Sequence, residues 1–222
     1  MGEVIQIIAA DGFQLSAYEA APAGTPKGCV LVIQEVFGVN SHIREVCDGY
    51  AGEGYLAVAP AIFDRVEPGI ELGYEQDDMM RGVGIARGQL DMAQTMADLQ
   101  ATVNYLGEHG KVGVVGYCFG GLLTWLCAAD VEGIACASGY YGGGIIEAKD
   151  LTPAVPTILH FGNLDAHIPI SDVEVIDAAH PDVPVYVYDA DHGFNCDQRG
   201  SYEASAASKA KERTLALFAA HL

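Results

Sequence analysis

The chain is poor in cations. Eleven Lys and Arg stand against 30 Asp and Glu over 222 residues, a net charge of −19. A surface that negative repels phosphate backbones and anionic headgroups, so neither nucleic acid nor a membrane surface is an expected partner. No run reaches the 18 apolar residues that a spanning helix needs. The first ten residues lack a basic segment, and their apolar character breaks at Gln6 and again at Asp11-Gly12, which is not the pattern of a secretory leader. The six cysteines, at 29, 47, 118, 127, 136 and 196, include no C-x-x-C pair, so a zinc ribbon and a thioredoxin-type motif are both excluded. Reduced thiols in a cytoplasm are the expectation. There is no repeat of fixed period and no shift in composition, and a single domain over 1–222 is expected, monomeric or a small homo-oligomer.

What the chain does have is alternation. Glu3–Ala9 and Phe13–Glu19, split by Asp11-Gly12, pattern as a hairpin. The unbroken apolar run Cys29–Gln34 suits a strand buried on both faces of a parallel sheet. Helical spacing follows over Ser41–Gly52, then a strand at Tyr55–Ala59 stopped by Pro60, then a long helix over Gln89–Leu106. Further strands are expected at Lys111–Val115, Gly133–Ala137, Thr157–Phe161 and Val185–Tyr188, with helices from Phe119 and over Tyr202–Ala220. The pattern defines an α/β domain with a mostly parallel sheet. Asp64–Gly88 and Gly139–Pro156 are expected as irregular excursions that wall a pocket.

Chemistry concentrates at Gly116-Tyr117-Cys118-Phe119-Gly120, where the strand KVGVV turns into the helix LLTWLCAA. This is the form G-x-nucleophile-x-G, in which the glycines relieve crowding around a central residue held in a sharp strand-to-helix turn. The order nucleophile, acid, histidine then selects partners. His192 follows the strand Val185–Tyr188 in a short turn, and Asp165 follows the strand that ends at Phe161. Asp189 and Asp191 lie too close to His192 in sequence to reach behind its ring. His160, inside TILHF, is expected in the core, whereas His180 and His221 at helix ends are expected to be solvated. Asp165 and His167 offer one carboxylate and one imidazole, too few for a metal, so neither metal nor cofactor is expected.

With these residues in hand, the chain resembles the dienelactone hydrolase (carboxymethylenebutenolidase) family of α/β-hydrolases. The resemblance rests on Gln34-Glu35-Val36-Phe37-Gly38-Val39-Asn40, Gly113–Gly121, Gly139-Tyr140-Tyr141-Gly142, Asp165 with Pro169, and His192-Gly193-Phe194. It implies a Cys118–His192–Asp165 triad that forms a thioester. It further implies that Glu35 hydrogen-bonds and gates the resting thiol, and that the Val36 and Phe119 amides form an oxyanion hole. Phe37 and Tyr140 are implied to contact substrate. A carboxylate beside a thiol disfavours the thiolate, so the resting Cys118 is expected to be neutral. The resemblance also implies two arginines for a substrate carboxylate. One matches Arg81; where the second is expected, this chain has Cys196, and Arg199 stands three positions further on. The expected activity is hydrolysis of small, anionic carboxylic esters or lactones. The competing readings are a broad-specificity esterase, or a redox protein in which Cys196 resolves an oxidised Cys118.

Overall fold

The computed structural model describes residues 2–222. The chain opens with β1 (Glu3–Ile8) and β2 (Gln14–Ala20), an antiparallel hairpin in which Glu3 lies opposite Glu19 and Ile8 opposite Gln14. Then come β3 (Cys29–Ile33), α1 (Ser41–Gly52) and β4 (Leu56–Pro60), which takes in Pro60 as its last residue. α1 begins where the sequence places it because Asn40 caps it, its side chain accepting from the Ile43 amide. A 3-10 turn at Ile62–Arg65 leads to α2 (Gln76–Gly88), α3 (Met92–Gly107), β5 (Val112–Tyr117) and α4 (Phe119–Asp130). The chain closes with β6 (Ile134–Tyr140), β7 (Thr157–Gly162), α5 (Ile170–Ala179), β8 (Val185–Tyr188) and α6 (Ala204–His221).

The eight strands form one sheet in the order β1-β2-β4-β3-β5-β6-β7-β8, parallel from β4 through β8. β3 and β5, at its centre, are buried on both faces. Val30 and Val32 enter a cluster with Tyr50 of α1 and Phe218 of α6. Cys29, Leu31 and Ile33 enter another with Leu99, Val103 and Leu106 of α3. The sheet is thus sandwiched between helices. None of the described helices is long and apolar enough to cross a membrane.

Two expectations need correction. The excursion 64–88 is not irregular throughout, because α2 fills its second half. Gly82 there lies so close to the Val36 carbonyl that a Cβ would collide with it, so a close helix-to-loop contact overrides weak helix propensity. The sequence marks α5 only by the helix end at His180, which is where α5 stops. His180 is not solvated: it is buried, its Nε2 contacts the Lys149 carbonyl, and its ring meets Trp125 edge-on at 4.9 Å.

His160 is the core histidine the sequence suggested. Its Nδ1 sits 2.8 Å from the Tyr188 hydroxyl, and Thr214 Oγ1 approaches its Nε2 at 3.4 Å. Burial, and secondarily the nearby Arg213, hold its pKa down at about 3 against an ordinary 6.5. Between those values the unfolded chain binds a proton that the folded chain refuses. This contribution to stability is therefore complete above pH 6.5 and declines as pH falls, by up to about 1.4 kcal/mol per pH unit. Urea melts at pH 7, 5.5 and 4.5 are expected to show that decline, and His160→Gln is expected to flatten the slope.

Candidate active site

The nucleophile position is built from the backbone outward. β5 ends at Tyr117, α4 begins at Phe119, and Cys118 between them holds φ 55° and ψ −113°. That region is costly for a residue with a side chain, and such strain persists where the surroundings enforce it. Here the enforcement is contact. A Cβ on Gly116 would run into the Gly120 carbonyl, and one on Gly120 into the Ile33 carbonyl of β3. Only glycines let the turn close so tightly against the sheet.

The elbow aims the thiol at a histidine. Cys118 Sγ lies 3.1 Å from His192 Nε2, and His192 Nδ1 lies 2.7 Å from Asp165 Oδ2. Asp165 is fixed from behind, its Oδ1 accepting from the amides of His167 and Ile168 at 2.8 and 3.1 Å. Burial works against ionising this carboxyl, but the His192 ring and the two amides outweigh it and hold the pKa below the ordinary value. For His192, burial also opposes the charged form, yet an adjacent Cys118 thiolate, with the Asp165 carboxylate, raises its pKa to about 10. The ring is thereby equipped to keep a proton taken from the thiol. Of the rival acids, Asp191 only accepts from the His192 backbone amide.

The structure rearranges the residues around this line. Glu35 is 1 % exposed, so it is no solvated carboxylate, but neither of its oxygens has a hydrogen-bond partner. The thiol bonds His192 instead, and the implied resting bond from Glu35 to the thiol is not formed. The neighbour of Glu35 is Arg199, whose Nη1 is 3.6 Å from Oε1. Arg199 also lies over the rings of Phe37 and Tyr74, at 5.6 and 5.9 Å, and packs against Gly193 beside His192. Arg81 is elsewhere: its side chain is half exposed and paired with Glu67 at 2.8 Å. Tyr140 turns into the core, its hydroxyl 2.8 Å from Thr214 Oγ1. Its neighbour Tyr141, with φ 35°, faces the site, its ring centroid 5.1 Å from that of His192. The doubled tyrosine was visible in the sequence; which of the two turns inward depends on the kink at the end of β6. Tyr74, unremarked in the sequence, packs edge-on against Phe37 at 4.7 Å. Val36 follows β3, and Phe119 opens α4 with an amide that has no carbonyl partner within its own helix. All six cysteines are free thiols.

A nucleophile elbow at the carboxyl edge of a mostly parallel sheet, with acid and histidine on the two later strand ends, defines an α/β-hydrolase. The dienelactone hydrolase family model matches residues 15–222, and the chain belongs to that family. It is a carboxylic ester hydrolase. Among similar proteins, the carboxymethylenebutenolidase of Pseudomonas putida is 36 % identical over 224 residues, covering 96 % of this chain and 94 % of the relative. A Synechocystis protein provisionally given the same name is 37 % identical over 231 residues, covering 94 % of this chain and 93 % of its own. A solved structure from Klebsiella pneumoniae, assigned to the dienelactone hydrolases, superposes with a TM-score of 0.86 at 32 % identity, covering 99 % of this chain and 98 % of that one.

Proposed function

We propose that the protein hydrolyses small carboxylic esters or lactones bearing an anionic group, through a thioester on Cys118. The observation that carries this reading is the continuous line Cys118 Sγ–His192 Nε2–Nδ1–Asp165. His192 takes the thiol proton as sulfur attacks the carbonyl carbon. Negative charge gathers on the carbonyl oxygen, where the Val36 and Phe119 amides are the donors; one such donor contributes about 3 kcal/mol to the barrier. Collapse expels the alcohol, which takes the proton from His192. A water, deprotonated by the same ring, then attacks the thioester, and the thiol is regenerated as the acid leaves. In a lactone the expelled alcohol stays tethered to the acyl group, so a single product departs.

The charge balance argues for a fixed cation. A net charge of −19 works against anion capture, and Arg199 is the guanidinium beside the site. Its partner Glu35 is not in hydrogen-bonding contact at 3.6 Å, so an incoming carboxylate meets a guanidinium with free donors. Phe37 and Tyr141 supply the apolar wall.

Hydrolysis of p-nitrophenyl acetate should leave acetyl on Cys118 in quenched peptide maps. Turnover without that adduct would overturn the thioester. Arg199→Met should lower kcat/KM on an anionic lactone about ten- to a hundredfold, with a much smaller change on a neutral ester of similar size. Equal losses on both would remove Arg199 from substrate recognition, and a selective loss in Arg81→Ala would restore that residue to the role.

A further inference from the structure

The catalytic line leaves a second group of reactive side chains unused. Glu35 after β3, His42 in the first turn of α1 and Cys196 in the turn beyond His192 are all buried, at 1 %, 3 % and 0 % exposure. One ligand-capable atom from each lies within 4.8 Å of the other two. Buried polar atoms normally find partners, because leaving one bare costs free energy. Here both Glu35 oxygens and His42 Nε2 have none.

The orientation of His42 points to what would satisfy them. Its Nδ1 faces Asp197 Oδ1 at 3.5 Å, which leaves Nε2 as the atom turned inward. A carboxylate behind one ring nitrogen, with the other nitrogen free, is the usual arrangement of a metal-bound histidine: the outer partner fixes the tautomer and the ring. Cys196 has a similar supporter, with Sγ 3.2 Å from the Tyr74 hydroxyl. Arg199 leans toward Oε1 of Glu35, so the other carboxylate oxygen is available. His42 and Asp197 also line a cleft of about 400 Å³ between α1 and α6, which gives a small ion a route from solvent.

We propose that Glu35, His42 and Cys196 bind one divalent cation of the zinc type, with three protein ligands and an open fourth position. The donor set decides the class of ion. Thiolate and imidazole exclude magnesium and calcium, which take oxygen, and suit Zn²⁺ or Co²⁺. Metal–ligand bonds of about 2.0–2.3 Å set tetrahedral ligand atoms about 3.4–3.7 Å apart, so the three side chains draw together by about an ångström as the ion enters. Cys196 gives up its thiol proton to solvent on binding, and no electron changes hands. The site shares no ligand with the catalytic line, and its test needs no substrate.

The competing destination for a thiophilic ion is the Cys118–His192 pair, so the titration is run in Cys118→Ala as well as in the unaltered protein. Chelator-treated protein is titrated with Co²⁺ as the spectroscopic probe and then with Zn²⁺. One equivalent of Co²⁺ should produce a thiolate-to-cobalt charge-transfer band in both proteins, and Zn²⁺ should displace it. Cys196→Ser in the Cys118→Ala background should abolish the band. A first ligand matters more than an outer partner, whose loss already costs about tenfold or more, so His42→Gln should weaken Zn²⁺ at least that much by calorimetry. Circular dichroism of each ion-free variant checks folding. If Cys196→Ser does not fold, His42→Gln alone decides. A band lost in Cys118→Ala, one that survives Cys196→Ser, or unchanged Zn²⁺ affinity in His42→Gln would overturn the site.

Discussion

Replacing Cys118 with alanine is expected to reduce ester turnover by about 10⁴-fold or more, while the melting curve stays within about 1 kcal/mol of the unaltered protein. Removing a nucleophile that works as a unit with its base costs nearly as much as removing the whole set. His192→Ala should therefore be about as severe, and the double variant little worse than either single one. Asp165→Asn is the more discriminating change. An amide in place of the carboxylate no longer holds the His192 ring in the right tautomer, and comparable changes cost about 10⁴-fold in kcat. It should also return the His192 pKa toward the ordinary imidazole range, because a neighbour that raises it has lost its charge. A pH–rate profile of Asp165→Asn that keeps the wild-type limbs would contradict the assigned geometry.

The second large effect is expected far from the catalytic line. Arg65, at the end of the 3-10 turn, grips the carboxylate of Asp98 with Nε and Nη2 at 2.8 and 2.7 Å, and reaches Asp11 of the hairpin with Nη1 at 2.7 Å. Its guanidinium also covers the Phe13 ring, 4.3 Å from the centroid. Asp98 is on α3 and wholly buried. Arg65→Met would leave that carboxylate without its counter-charge, and breaking a buried pair from one side costs about 3–5 kcal/mol. For a chain of this length that is about 6–20 °C in Tm. Adding Asp98→Leu should recover most of the loss, since an apolar pair replaces the ionic one. A single variant that melts within 2 °C of the unaltered protein, about 1 kcal/mol or less, would show that Asp98 finds other compensation. The pair also sets a pH dependence. Hydrogen bonding from Arg65 holds Asp11 at about 2 against an ordinary 3.8, so its contribution is present above 3.8 and fades as pH falls through about 2.

The alignment of Cys118, His192 and Asp165 was legible because local chemistry and chain order sufficed. A G-x-C-x-G turn between an apolar strand and a helix has few other uses, and the acid and histidine each follow a strand. α1 was legible to the residue because Asn40 caps it at the start of helical spacing. α2 was not: it carries glycines at 82, 84 and 88, and it owes its form to close packing against Val36. α5 shows in the sequence only as the helix end at His180, for a related reason. It has ten residues, and only Val173 and Ile176 of them are buried, which is too weak a stripe to stand out. Side-chain direction was the least legible property. Tyr140 and Tyr141 are equivalent as text, and a backbone kink separates their fates. Arg81 and Arg199 were both candidates, and the pairing of one with Glu67 and the other with Glu35 depends on tertiary placement. Asp165 and His167 stand two residues apart, as a metal pair can, but Glu35, His42 and Cys196 are 7 and 154 residues apart, and no spacing rule joins them.

The polar partners in the core impose an order on synthesis. His160 and Tyr140 lie on the sheet, but Thr214, which Tyr140, Ser138 and His160 all approach, comes from α6, as does Arg213, which donates to Tyr188. α6 is the last 18-residue helix of the chain and ends at His221. While the ribosome still covers it, β6, β7 and β8 hold hydroxyls and an imidazole that only water can satisfy, and Phe218 has not reached Tyr50 and Tyr55. One half of the sheet therefore cannot dry until α6 has left the ribosome, and a nascent chain stalled short of α6 presents a wet, unfinished face to the cell's quality control.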